Sequence, residues 1–487
     1  MTRSDWAALV LCLVAVAAAG WVASHVFEDM AHLEDEFAYL WQAQAAAEGD
    51  LTRPSPTYEG SFLVPFVIDY QGQRFGKYPL GWPALLSVGV SFGIRNWVNP
   101  LLAGLGVWLI YRLSRLIFTD TVGLLAAGLT ALSPFFLIHG GSLLSHTWSL
   151  VLTTAFTLSW VEGFLTNQPE NRGRLWLAAL VSGATLGALA LTRPLTMGAV
   201  AFPFAVHGLY LLVQGNSFQK KRVLSVGALA LGLAIIHFLW QYALTGDFTR
   251  NPYTLWWSYD RVGFGPGHGV TAEGHNLQQA WWNTKHSLRA GASDLFGWGK
   301  LSWLFLPWGL WAGRKRPAVW LLVGTGLSLV AAYSAYWVGS WLLGPRYYFE
   351  ALPGLVALTG AGIAWLAGWP VFPVQRDGKK SPPSKFDWSR VRPLLVTGLV
   401  ALLVAANLLF YLPLRMQQLT GLYTIEHADL KPFQGEAIRE LTPALIIVHA
   451  DPWMSYGSLL AKNTPYHDTP FLFAWSINRR QDAALAE

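Results

Sequence analysis

The chain has 487 residues and a formal net charge of +6; 53% of it is hydrophobic, 13% is charged, 26 residues are tryptophan and one is cysteine. That balance excludes an ordinary soluble domain and a disulfide-stapled secreted fold, and it describes a polytopic membrane protein with aromatic rings to spare for the headgroup level. The basic residues lie in short loops between apolar runs, so the charge reads as membrane topology and not as a nucleic-acid footprint.

A hydrocarbon core of roughly 30 Å takes about twenty helical residues. Eleven segments are expected to span it: 6–27, 97–117, 121–139, 147–165, 175–191, 195–213, 223–243, 298–312, 318–338, 349–369 and 393–412. Cys12 lies inside the first and reads as a small core residue. Just beyond that span, Glu34-Asp35-Glu36 opens an amphipathic segment, Phe37 to Glu48. Carboxylates at a bilayer surface are costly unless water, cations or a substrate complete them, which makes this cluster the first candidate site. With Phe37, Leu40 and Trp41 on one helical face, Asp35 falls at or near the N-cap, where the helix dipole favours an anion. The apolar run Leu80 to Phe92 has only thirteen residues, roughly 20 Å as a helix, and is expected to lie at the outer surface. Counting it as a span would move every later basic loop to the other side.

From a cytoplasmic amino terminus, the eleven spans place Arg112/Arg115, Arg172/Arg174, Lys220-Lys221-Arg222, Arg314-Lys315-Arg316 and the basic stretch 376–392 on the inner side. Every short basic loop then agrees with the positive-inside rule. Three long regions face outward: 28–96, 244–297 and the tail 413–487. Within the second, Tyr253, Trp256, Trp257 and Tyr259 are candidates for stacking on a sugar or resting among headgroups. Gly263 to Gly269 looks like a phosphate loop but neither follows a strand nor opens a helix, and Pro266 removes a donor amide, so a mobile outer loop is expected. His268 and His275 have no cysteine or paired acid nearby to make a metal site. Residues 370–392, rich in proline and lysine, read as a flexible cytoplasmic linker. The tail has two short apolar runs, Ala444 to Val448 and Phe471 to Trp475, with turn residues at Asp451-Pro452, and is expected to form a small α/β cap. This divides the chain into a membrane module, 1–412, and an extracytoplasmic domain, 413–487.

Glu34 to Leu40 after the first span, followed by Lys77-Tyr78-Pro79-Leu80-Gly81-Trp82-Pro83, resembles the membrane glycosyltransferases of the GT-C fold, in particular the protein O-mannosyltransferase and aminoarabinose-transferase group (glycosyltransferase family 39). Leu191-Thr192-Arg193-Pro194 and Gly344-Pro345-Arg346-Tyr347-Tyr348 sit where that group has similar motifs, and the likeness runs from about residue 1 to 412. It implies an all-α bundle of about eleven membrane helices with outer-face juxtamembrane helices. It also implies transfer of a sugar from a polyprenyl-phosphate carrier to an acceptor at the outer face of the plasma (inner) membrane. Asp35 matches the family's catalytic aspartate, a base for the acceptor hydroxyl, with Glu36 as its catalytic neighbour pointing roughly 100° away around the helix. Arg346, Arg193 and Lys77, with Tyr78, are candidates for holding the donor, since its lipid phosphate gains charge as the glycosidic bond breaks. Arg346 leads, because it opens a span together with Glu350.

Related enzymes often have a second acid in the loop after the third span; here that loop ends Leu144-Ser145-His146. His146 takes that place as a candidate contact for acceptor or phosphate. A hard divalent cation prefers carboxylate oxygens, so no metal and no other cofactor is expected. Two other functions stay open: a transporter or flippase of lipid-linked glycans, and a catalytically lapsed relative. The middles of the spans lack acids while the candidate charges collect at one face, which favours interfacial chemistry over coupled transport.

Overall fold

The computed structural model describes residues 1–166, 171–373, 388–450 and 456–487. Most of the expected linker (374–387) and the expected turn at Asp451-Pro452 lie outside the described residues.

The chain is mostly helix. In order these are α1 (Arg3–Trp21), α2 (Glu34–Ala47), α3 (Gly81–Ser91), α4 (Val98–Ile117), α5 (Asp120–Ala131), α6 (Pro134–Gly141), α7 (His146–Phe164), α8 (Arg172–Thr192), α9 (Pro194–Gln214), α10 (Ser217–Thr245), α11 (Tyr253–Trp256), α12 (Leu277–Asp294), α13 (Leu306–Gly313), α14 (Pro317–Ser334), α15 (Leu352–Ala367), α16 (Trp388–Ala406) and α17 (Leu412–Leu419). All eleven expected segments fold largely into helix. Among the described residues eight runs are long and apolar enough to cross a membrane, and α5 with α6, bent by 59° at Leu132-Ser133, makes a ninth.

Two expected spans fall short, each for a physical reason. The first, 147–165, is α7, whose Thr147, Ser149, Thr153, Thr154, Thr157 and Ser159 are all buried. It packs on α4 and α8, and an interior helix can afford hydroxyls that a lipid-facing one cannot; Thr154, for one, donates back to the Leu150 carbonyl at 2.7 Å. The second, 298–312, breaks into a 3₁₀ turn (Gly299–Trp303) and the eight-residue α13, roughly 12 Å of helix. That short helix gains its place by backbone contact with α15: a Cβ at Gly309 would collide with the Leu358 carbonyl, and one at Gly362 with the Phe305 carbonyl. The run after Leu80 is the short helix α3, as its length required.

A small antiparallel sheet, β1 (Arg53–Pro54), β2 (Val67–Tyr70) and β3 (Gln73–Gly76) in the order β1-β3-β2, fills the loop after α2. Its hairpin turns at Gln71-Gly72, both with positive φ (52° and 75°), the backbone a two-residue hairpin demands. Buried Arg74, paired with Asp69 at 2.6 Å, locks the hairpin, so Lys77 and Tyr78 leave β3 in a fixed direction. The two apolar runs of the tail pair as parallel strands, β4 (Ala444–Val448) and β5 (Phe471–Trp475), register Ala444 to Phe471. The tail is seated on the first outer loop: the Trp475 amide donates to the Ser61 carbonyl at 2.7 Å and Gln481 to the Ser61 hydroxyl at 3.1 Å. Ile425, Leu430, Tyr456 and Phe473 share one buried cluster with Phe37 and Trp41 of α2.

Candidate active site

The acids open α2 as the sequence implied. Leu33 is the N-cap, and Glu34, Asp35 and Glu36 form the first turn. Their side chains part company there. Glu36 is 2% exposed; its Oε2 accepts from the His32 and Leu33 amides at 2.8 and 3.0 Å and its Oε1 from the Leu143 amide at 2.7 Å. A carboxylate saturated by three backbone donors fixes a helix start and a distant loop, and Glu36 lines neither cavity described below. The structure therefore gives the expected catalytic neighbour a positioning place. Glu34, quoted with the motif but assigned no role, lines both cavities together with Asp35.

Asp35 lies between two partners. Its Oδ1 accepts from the Tyr78 hydroxyl, and its Oδ2 lies 3.1 Å from Arg346 Nη1. Burial would raise this carboxyl, but Arg346, the Tyr78 hydroxyl and Lys77 outweigh it and hold Asp35 below the usual carboxylate range. For Glu34, burial and the neighbouring Asp35 charge push the carboxyl up, only partly opposed by Lys77 and Arg346. Two adjacent acids with shifts of opposite sign are what a site needs to keep one base ionised.

Each predicted cation is present, and each already holds an acid. Lys77, 3% exposed, pairs with Asp260 Oδ2 at 3.3 Å and lies over the rings of Phe66 at 3.5 Å, Tyr253 at 4.9 Å and Trp257 at 5.2 Å. Burial pulls its ammonium down, while Asp260 and Asp35 oppose that. Asp260 is in turn held by Tyr336 at 2.7 Å and Trp337 at 3.2 Å. Arg193, at the junction where Pro194 stops α8 and starts α9, pairs with Glu350 at 3.2 Å and donates to Tyr333 at 3.0 Å. Sequence reasoning missed Asp260 as the partner of Lys77. Its only signal was a lone acid among the tryptophans and tyrosines already noted.

Two cavities meet at this cluster. The larger, about 550 Å³, is lined by Glu34, Asp35, Lys77, Tyr78, His146, Arg193 and Arg346, with Tyr253, Trp257, Tyr333 and Tyr347 among its walls. The smaller, about 290 Å³, is lined by His32, Leu33, Glu34, Asp35, residues 339–343, Arg346 and Tyr423. Glu34, Asp35 and Arg346 belong to both. So six of the seven predicted residues converge on one cavity, and only Glu36 stands behind it. Of the aromatic candidates, Tyr253 and Trp257 face the cavity, whereas Trp256 packs on Phe66 and Tyr259 stacks on Trp257 at 5.9 Å. The Gly263 to Gly269 loop, expected to be mobile, is tied at its rim by amides donating from Gly263 to Ala335, Gly265 to His275 and Gly269 to Tyr259. His275 is spent on the Ser334 carbonyl at 2.9 Å and on stacking against Phe264.

Residues 84–240 match the family of dolichyl-phosphate-mannose-protein mannosyltransferases. The fold is that of ArnT from Cupriavidus metallidurans: its crystal structure bound to undecaprenyl phosphate matches with a TM-score of 0.61 at 15% identity, over 100% of this chain and 89% of that one. The apo state of the same enzyme matches with a TM-score of 0.60 at 15% identity, over 96% and 85%. No curated protein matches the chain by sequence. The expected likeness to GT-C membrane glycosyltransferases is thus borne out: the chain is a multi-span membrane protein of that fold, and residues 84–240 match the mannosyltransferase family.

Proposed function

We propose that this chain transfers a sugar, with inversion, from a polyprenyl-phosphate donor to an acceptor at the outer face of the membrane, with Asp35 as the base. The observation that carries the proposal is the place of Asp35: gripped by Tyr78 and Arg346, and shared by both cavities. Each carboxylate oxygen keeps a second lone pair beyond the one its partner uses. An acceptor hydroxyl entering from the smaller cavity can give its proton to that lone pair as its oxygen attacks the anomeric carbon. The bond from that carbon to the phosphate oxygen breaks on the opposite side, the phosphate leaves with the electron pair, and a single displacement inverts the centre.

Arg346 touches both events. It steadies the base through Oδ2, and it also lines the larger cavity, where the leaving phosphate gains charge. In a partly dry site such a cation is worth more than in water. Tyr253 and Trp257 give the cavity aromatic walls that the sugar can pack against. The collection of Arg112, Arg115, Arg174 and Arg316 around one separate cavity with Met1 supports the orientation, because those loops were all expected on the cytoplasmic side. The test is the purified protein incubated with a panel of polyprenyl-phosphate sugars, undecaprenyl phosphate carriers among them, and read by mass. Sugar loss from at least one donor is expected; no loss from any donor, with or without acceptors, would contradict the proposal.

A further inference from the structure

Among the buried polar side chains at the wall of the larger cavity that the mechanism above leaves unused, His146 stands apart. His146 is 5% exposed, lines that cavity, and has no hydrogen-bond partner at either ring nitrogen among the described residues. Its ring stacks on His139 with centroids 4.9 Å apart and meets Phe349 edge-on at 6.5 Å, so its plane is set from behind. The loop that delivers it is fastened on every side. Glu36 accepts from the Leu143 amide, Trp82 Nε1 donates to the Leu143 carbonyl at 2.9 Å, and Asn99 donates to the Ser142 and Leu144 carbonyls at 2.6 and 2.9 Å. A buried donor without a partner is a standing cost that a ligand removes by supplying the acceptor.

The surroundings say what kind of ligand. Arg193, Arg346 and Lys77 line the same cavity. All three already hold acids, Glu350, Asp35 and Asp260 in turn. An entering anion can share their remaining N–H groups, and the imidazole is a donor with no prior commitment. We propose that His146 contacts the substrate: a ring N–H donates to a phosphate oxygen of the lipid-linked donor beside Arg193 and Arg346, making it a specificity-determining residue for phosphate. The inference rests on the donor class proposed above.

The test is binding of undecaprenyl phosphate and of undecaprenol to the full-length protein in detergent, for wild type, His146→Phe and His146→Gln. Phenylalanine keeps a ring to stack on His139 but donates nothing, whereas glutamine keeps an N–H donor. His146→Phe should weaken undecaprenyl phosphate by roughly tenfold, as loss of a hydrogen bond to a charged group does, and leave undecaprenol unchanged. His146→Gln should stay within about threefold of wild type, since its amide can still donate. Unchanged phosphate affinity in a folded His146→Phe protein overturns the inference. So does an equal loss for both lipids, or a loss in His146→Gln as large as in His146→Phe, since the ring would then be shaping the cavity. Failure of wild type to bind undecaprenyl phosphate overturns the donor class itself, and the comparison with wild type keeps that failure distinct.

Discussion

Asp35 and Glu36 are adjacent in sequence and opposite in employment, and substitution should separate them by the quantity that falls. Glu36→Ala strips three backbone amides of their acceptor, a loss on the order of 3 kcal/mol or more, so its thermal midpoint should drop well below that of wild type. An unchanged midpoint would mean those amides find other partners. Arg346→Lys keeps the charge but loses the planar fork that can hold Asp35 and a phosphate together. kcat should fall more than KM for the donor rises, because only interactions strengthened in the transition state speed the chemistry. Wild-type kinetics in that variant would remove Arg346 from the site and leave Arg193 and Lys77 to hold the phosphate. Glu34 titrates above its ordinary range and Asp35 below its own, so as pH falls Glu34 takes up its proton first. The cavity, which also holds Lys77, Arg193, Arg346 and Asp260, then carries one negative charge fewer, and donor affinity should rise while Asp35 remains ionised. Glu34→Gln should abolish that rise; a rise that persists in the variant would place its origin elsewhere.

The elements divide by how local their causes are. The ends of β4 and β5 are readable from two five-residue apolar runs, and the start of α2 from its acids, because strand composition and helix dipole act over a few residues. α3 is readable from its length and from the side on which its exclusion as a span leaves the basic loops. What eluded the sequence depends on partners far along the chain: Glu36 meets Leu143 across 107 residues and Lys77 meets Asp260 across 183. The polarity of α7 likewise makes sense only once neighbouring helices surround it. The 142–145 loop is the element on which the site most depends, since it joins α2, α3 and α4 to His146. Asn99→Leu, close in volume, would orphan the Ser142 and Leu144 carbonyls, costing about 1–3 kcal/mol for each group left unsatisfied. A lower melting temperature with a raised donor KM is expected; wild-type values for both would show that the loop is held without Asn99.

At the scale of the molecule, the chain reads as a roofed bundle: membrane helices below, the α2–α3 segment and the 244–297 loop around the cavity, and the tail resting on the first loop at Ser61. Orientation rests on the basic loops alone, and cysteine labelling in intact cells should find Asn216 inside and Gly267 outside. Labelling of both from the same side would contradict the assigned topology. The membrane class was legible because spans are strong local signals, and six cavity residues because the motifs that hold them resemble a known family, whereas the joining of two cavities at one carboxylate is a property of the assembled bundle. The central claim is that this carboxylate is the proton acceptor, and the most direct measurement is turnover of a polyprenyl-phosphate sugar by Asp35→Asn alongside binding of the same donor. Asparagine keeps the shape and removes the charge, so the account predicts transfer reduced by roughly 10²–10⁴-fold with donor binding retained or strengthened. Wild-type turnover in a correctly inserted Asp35→Asn protein would contradict it.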